Sequence, residues 1–423
     1  MVLSLTITAI LAFYVAWNLG ANDVANSMGT SVGSKAITLQ QALLIAGILE
    51  FSGAVLFGHE VSATLATKVA NPTLFAETPH ILLLGMISVL LACGIWLQIA
   101  TSKGLPVASS HAVVGAIAGF SWVAAGIGAV DWTTLGRISL TWILTPIVSG
   151  ILAAGFYSLI KYSILDRPNP LYQLQEWIPW LSTILLSIFG AIVLPTLFNR
   201  PFFTTLPIPT HDLPILTGTI GTITLTLITW HQLKIQTSNP STPSVTSVTP
   251  SVATPIEQQL ARFQVLSACF VAFAHGSNDV GNAIAPLAAI AYIIRTGSVP
   301  LSNFNIPLWI LILGGSGIVA GLAVWGKKVI ATIGENIIPL QPSSGFCAEI
   351  ATATTILLAS RLGLPVSTSH ALVGGVVGIG LIQNWRTVHF QTLKSIVLAW
   401  VITIPIAVGL SAIIFIGLRL IFG

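Results

Sequence analysis

Two aspartates stand in matching company in the two halves of this 423-residue chain. Asp23 lies in Gly20-Ala-Asn-Asp-Val-Ala-Asn-Ser27 and Asp279 in Gly276-Ser-Asn-Asp-Val-Gly-Asn-Ala283, with five of eight positions the same. Asn22, Asn26, Asn278 and Asn282 therefore flank a carboxylate twice over. Carboxylate and amide oxygens with amide donors suit a hard cation such as Na+ and an anion beside it. Mg2+ or a transition metal would call for more carboxylates or imidazoles at ligand spacing. A second phrase also recurs. Leu105-Pro-Val-Ala-Ser-Ser-His-Ala-Val-Val-Gly-Ala116 returns as Leu364-Pro-Val-Ser-Thr-Ser-His-Ala-Leu-Val-Gly-Gly375, with eight of twelve positions the same. Gly104-Leu105-Pro106 and Gly363-Leu364-Pro365 end one helix, and the next begins on hydroxyls: Ser109 and Ser110, or Ser367, Thr368 and Ser369. The first N–H groups of a helix lack intrahelical acceptors and sit at its positive end, so hydroxyls there make an oxyanion cradle. Capping by Ser or Thr would account for either phrase alone. Two such helix starts, each beside an Asn-Asp phrase of its own half, can also converge on one tetrahedral anion.

Other polar residues carry less. His111 and His370 directly follow the hydroxyls, but adjacent Ser and His rarely align for proton transfer and no Gly-x-Ser-x-Gly elbow is present, so the histidines are read as structural hydrogen-bonding groups. Gly321-Leu-Ala-Val-Trp-Gly-Lys-Lys328 nearly fits a phosphate-binding loop, yet Lys328 stands where that loop needs a hydroxyl and the run belongs to an apolar span. Glu50 and Glu349 are the remaining acids in apolar context. Sliding the halves over each other sets Ile318 opposite Glu50 and Leu90 opposite Glu349, so neither is duplicated. They are candidates for an ion path or proton coupling, against the alternative of carboxyls hydrogen-bonded between helices. Cys93, Cys269 and Cys347 lie among apolar residues and read as packing.

The elements that must position these residues are membrane helices. Mean hydropathy is +0.92 and 7% of residues are charged, against roughly 25% in a soluble domain. Charge-free runs of the ~20 residues that a spanning helix needs recur along the chain. The fold expected is an all-α polytopic membrane protein with twelve spans: 1–24, 39–58, 81–101, 106–128, 138–161, 178–198, 213–232, 260–294 (broken near Asp279), 306–326, 345–361, 366–384 and 395–421. The residues before Asn22 lack the basic start and cleavage site of a secretory signal and are read as a retained first span. Asp279 lies in a stretch, 263–294, otherwise free of charge, and Asp23 follows 22 uncharged residues. Asp at such depth costs about 2.5 to 3.5 kcal/mol and persists with a partner or a task.

Four segments follow: a first repeat over 1–162, a two-helix connection over 163–235, a Ser/Thr/Pro-rich linker over 236–259, and a second repeat over 260–423. Five spans end opposite to where they began and two more bring the chain back, so the second repeat is inverted relative to the first, with broken helices or hairpins expected at the midplane. With the termini outside, ten of the 16 Lys and Arg fall on inner loops and six on outer ones, which favours external termini and a cytoplasmic linker. The basic residues are scattered, with Lys327-Lys328 the only adjacent pair, and give no basis for a nucleic-acid face.

The Asn-Asp phrase at 20–27, its return at 276–283, and Gly-Leu-Pro-Val-Ser-Thr-Ser-His at 363–370 resemble the signatures of the inorganic phosphate transporter family of sodium- or proton-coupled symporters. The likeness extends over essentially the whole chain. It implies co-transport of inorganic phosphate with Na+ or H+ across the plasma (inner) membrane, no bound cofactor, contact with the lipid bilayer and a homodimer as an admissible assembly. It also implies that Asn26, Asn282, Ser109, Ser110, Thr368 and Ser369 bind phosphate, that Asn22, Asp23, Asn278 and Asp279 bind the cation, with Na+ at Asp23 and Asp279, and that Glu50 and Glu349 take part in coupling. Ala108 departs from Ser367 of the other copy and makes the cradle lopsided. The family includes sulfate carriers, so sulfate or thiosulfate is the alternative cargo; a membrane hydrolase or receptor is a remote one.

Overall fold

The computed structural model describes residues 2–105, 107–198, 212–238, 254–301, 304–333 and 337–422. Among them run thirteen α-helices: α1 (Val2–Gly33), α2 (Leu39–Phe57), α3 (His59–Thr67), α4 (Pro79–Ser102), α5 (Ser109–Ala125), α6 (Trp132–Ile160), α7 (Pro170–Phe198), α8 (Asp212–Ser238), α9 (Pro255–Thr296), α10 (Leu308–Ile333), α11 (Pro342–Arg361), α12 (Thr368–Asn384) and α13 (Phe390–Phe422). An all-helical architecture is what lipid imposes on backbone N–H and C=O groups, which must bond within their own segment. Eight of the helices are long and apolar enough to cross a membrane. The expected spans outside that group are α5 and α12, of 17 residues each, and α9 and α11, which carry many of the polar residues described below.

Two expectations need correction. The Asn-Asp phrases do not break their helices: α1 continues from Val2 to Gly33 through Asp23, and α9 from Pro255 to Thr296 through Asp279. The Asn and Asp side chains of the phrases bond to side chains and to other elements rather than to their own helix backbone, so the helical ladder is left whole. The interruptions fall instead between α4 and α5 and between α11 and α12. Gly104 and Gly363 both take a left-handed conformation, φ +65°, which a residue with a Cβ adopts only at a cost. Leu105 N–H bonds to Ala100 O and Gly104 N–H to Thr101 O; Leu364 repeats the first bond to Ala359 and Gly363 the second to Ser360. Each is a Schellman stop, which closes one helix before the hydroxyl-bearing start of the next. The second correction is α3, placed where no helix was expected and carrying Glu60.

The helices that carry the matching phrases pack in matching pairs. α1 packs on α10 as α9 packs on α2, and α5 packs on α13 as α12 packs on α6. The equivalent pairs α1 with α9 and α2 with α10 also touch each other. Each copy thus completes its fold with helices of the other. α7 and α8 pack together beside this body. The boundary expected near 162 falls in a π turn, Lys161–Leu165, that follows α6. Most of the expected linker, 239–253, lies outside the described residues.

Two glycines of the repeated phrase allow a close approach of backbones. A Cβ on Gly20 would overlap the Ile318 carbonyl oxygen, and one on Gly276 the Glu50 carbonyl oxygen. Both are the first residues of the repeated Asn-Asp phrase, so the phrase opens on the residue that brings α1 against α10 and α9 against α2.

Candidate functional site

Asp23 and Asp279 face each other in the interior, each 1% exposed. The ligand atoms of Asp23, His275 and Asp279 lie within 4.8 Å of one another. Two ionised carboxylates at that separation would repel by on the order of 3 kcal/mol at an effective dielectric near 20, a repulsion that a bound cation or a proton relieves.

Hydroxyls from the two broken-helix starts close this centre. Ser109 Oγ donates to Asp23 Oδ2 at 3.0 Å and Thr368 Oγ1 to Asp279 Oδ2 at 2.9 Å. Asn26 Nδ2 donates to Asp23 Oδ1 at 3.3 Å and reaches across to Thr368 Oγ1 at 3.5 Å. Asn282 Nδ2 reaches across in the other direction, to Ser109 Oγ at 3.2 Å. The expected convergence of the two cradles on the two Asn-Asp phrases is therefore present. Several polar atoms here are buried without a partner: Asp279 Oδ1, Asn282 Oδ1, Asn22 Oδ1 and Ser110 Oγ. Buried polar groups are normally satisfied by protein, ordered water or a bound species, so this cluster offers a place for water or a ligand.

Asn22 and Asn278 act one step back. Asn22 Nδ2 bonds to Thr101 Oγ1 and to Leu105 O, both at 3.2 Å. Asn278 Nδ2 bonds to Ser360 Oγ at 3.0 Å and to Leu364 O at 3.2 Å, and Val366 N–H donates to Asn278 Oδ1 at 3.3 Å. These amides fix the extended loops from which the hydroxyl-bearing helices begin. Ser369 Oγ lies 2.9 Å from Ser367 Oγ, and Ser110 Oγ has no partner.

Glu50 and Glu349 are both fully buried and differently engaged. Glu50 accepts from Ser27 Oγ at 2.7 Å and lies 3.2 Å from His275 Nδ1; His275 Nε2 lies 3.1 Å from Asp279 Oδ2. Glu50 is thereby joined to the centre through one side chain. Glu349 sits in its own nest of donors: Thr30 Oγ1 at 2.7 Å, Ser31 Oγ at 2.6 Å, Ser267 Oγ at 2.6 Å and Gln264 Nε2 at 3.1 Å.

Sequence reasoning missed His275, although a signal was present. It immediately precedes the repeated phrase, where the first copy has Leu19, so a side chain able to bear charge replaces a hydrocarbon at one position of a near-repeat. His111 and His370 hold the structural place expected of them. Their Nδ1 atoms lie 3.2 Å from Trp400 O and 2.8 Å from Trp142 O, and their rings pack on Trp142 and Trp400 at centroid distances of 3.9 and 3.7 Å.

An all-helical body, apolar outside and with a buried centre of carboxylates, amides and hydroxyls supplied by both halves of the chain, defines a multi-pass integral membrane protein of the transport class. The model of the phosphate transporter family matches residues 19–411, and the chain belongs to that family. It is 39% identical over 421 residues to the inorganic phosphate transporter 2-1, chloroplastic, of Arabidopsis thaliana, a match covering 96% of this chain and 70% of the relative. A solved structure described as "The sodium-dependent phosphate transporter" superposes with a TM-score of 0.86 at 38% identity, covering 99% of each chain.

Proposed function

We propose that this protein carries inorganic phosphate across its membrane together with a cation, Na+ first and H+ as the alternative, by alternating access. The observation that carries the reading is the pair Asp23 and Asp279: buried, within reach of one another, and each bonded to a hydroxyl at the start of a broken helix. Empty of cations, such a centre repels an anion. A cation held at Asp23 and Asp279 reverses the sign of the field and raises the affinity for phosphate, and by linkage phosphate raises the affinity for the cation to the same degree. Asn26, Asn282, Ser109, Ser110, Thr368 and Ser369 then hold the anion, while Asn22 and Asn278 keep the helix starts in place. The empty and the fully loaded forms exchange sides, with the two repeats inverted in the membrane, the termini outside and the linker in the cytoplasm.

The test is uptake of labelled phosphate by the protein in liposomes, under an imposed Na+ gradient and separately under a proton gradient. Accumulation driven by one of them supports the proposal and names the cation. Uptake that ignores both gradients removes coupling from the reading, and competition by excess sulfate equal to that by phosphate shifts the cargo to sulfate.

A further inference from the structure

The two cradles differ by one hydroxyl, at Ala108 against Ser367, and the second copy displays what the first lacks. On α12 the N-terminal flanking residue is Ser367, whose Oγ accepts from His370 N–H at 3.3 Å and lies 2.9 Å from Ser369 Oγ. One oxygen atom thus meets two groups at the helix start. On α5 the equivalent residue is Ala108, with no side-chain cap. The groups equivalent to Ser369 and His370 are still there. Ser110 is 1% exposed and its hydroxyl has no partner, while His111 N–H falls back on the carbonyl of Ala108 at 3.1 Å, a tight i to i−3 bond. The first cradle is the second with one oxygen removed.

We propose that an oxygen of the transported anion takes that place: phosphate is held off-centre, against the start of α5, with Ser110 Oγ–H and the His111 N–H end of the helix donating to it as their counterparts meet Ser367 Oγ. Ala108 is then the residue that keeps the place open. Three features agree. The ligand is rich in acceptor oxygens, as this place requires. Ser109, next to Ser110, already binds Asp23 and receives Asn282, so the helix start faces the centre. The α12 side, by contrast, has met the same requirement from its own chain and has less to offer. The inference rests on the reading of the protein as a phosphate carrier and adds to it which half grips the anion.

Ala108→Ser supplies the missing oxygen from within and is expected to raise the KM for phosphate uptake in proteoliposomes about five- to tenfold, the effect of diverting one charge-assisted hydrogen bond. The exchanged variant Ala108→Ser/Ser367→Ala moves the open place to the other half and is expected to bring KM back to within about threefold of the parent. If Ala108→Ser does not fold, Ser110→Ala and Ser369→Ala decide: both weaken binding, and KM should rise at least tenfold for the first and by a severalfold smaller factor for the second. An unchanged KM in Ala108→Ser, no recovery in the exchanged variant, or equal losses in the two alanine variants overturns the off-centre placement and leaves the phosphate carrier intact. A parent protein that accumulates no phosphate overturns the carrier reading itself, and this inference falls with it.

Discussion

His275 Nε2 lies 3.1 Å from Asp279 Oδ2, whereas Asp23 meets the amide of Asn26 but no ionisable side chain from its own helix, because Leu19 stands on α1 where His275 stands on α9. The exchange of helices between copies makes this difference a matched pair. His275 meets Glu50 of α2, while Gly20, next to Leu19, meets Ile318, the α10 residue opposite Glu50. One side of the centre carries a chain of three ionisable groups, Glu50, His275 and Asp279, and the other carries Asp23 with hydrocarbon, Leu19 and Ile318, at the two further places.

That pairing predicts a stability pattern. His275→Leu leaves Glu50 and Asp279 buried without the side chain between them, at a cost of about 3 to 5 kcal/mol. Glu50→Ile/His275→Leu copies the other half and removes the charge with its partner, so most of the loss should be recovered. Thermal unfolding in detergent reads both. A double variant as unstable as the single one would show that packing, and not charge compensation, sets the requirement.

Asp23→Asn and Asp279→Asn keep the size of each side chain and an oxygen for Ser109 or Thr368, but remove the charge that a cation would answer. Each should reduce gradient-driven phosphate uptake below about a tenth of the parent, a difference of roughly 1.4 kcal/mol or more, while the protein still inserts and elutes as a folded species. Parental uptake by either variant would contradict the role assigned to its carboxylate.

Gly20→Ala and Gly276→Ala test the close approach directly. The added methyl overlaps a backbone oxygen in each case, of Ile318 or of Glu50, and a backbone cannot turn aside as a flexible side chain does. Overpacking typically costs about 1 to 3 kcal/mol, and here at least the upper end is expected. A loss of monodisperse protein on size-exclusion chromatography should accompany it, for both variants alike.

Much of this was readable before any coordinates. The repeat of Asn-Asp-Val-x-Asn fixed which residues meet, because polar side chains in apolar helices have few partners other than each other. The hydroxyl runs after Gly-Leu-Pro marked the helix starts, since only a left-handed glycine stop permits a new start so soon. What stayed hidden had physical reasons too. Continuity of α1 and α9 through their polar phrases depends on cross-helix bonds that no local pattern records, and Asn looks like a helix breaker only when its side chain turns on its own backbone. His275 was overlooked because its meaning lies in Glu50, 225 positions away in the sequence. Division of labour among the asparagines, with Asn26 and Asn282 at the centre and Asn22 and Asn278 holding loops, follows from which side of the helix each occupies within a single turn.

Glu349 provides the last test, because its carboxyl group is met by side chains of two other helices. Its Oε1 accepts from Thr30 and Ser31 of α1 and from Gln264 of α9, and its Oε2 from Ser267 of α9. Four donors converge on two oxygens, so a first-copy helix and two second-copy helices are tied at one side chain. Glu349→Gln preserves the shape but turns one oxygen into an NH2 group facing hydroxyls or an amide that already donate. Reorienting the hydroxyls lets the variant fold at a cost of about 1 to 3 kcal/mol. The tie between α1 and the α9–α11 pair is weakened, and if transport moves one repeat against the other, this is a joint that must hold in one state and release in the next. Glu349→Gln should therefore lower the maximal rate of phosphate uptake several-fold while the KM for phosphate changes less than about threefold, since no contact to the anion is removed. A KM effect as large as the rate effect would place Glu349 with the binding residues instead.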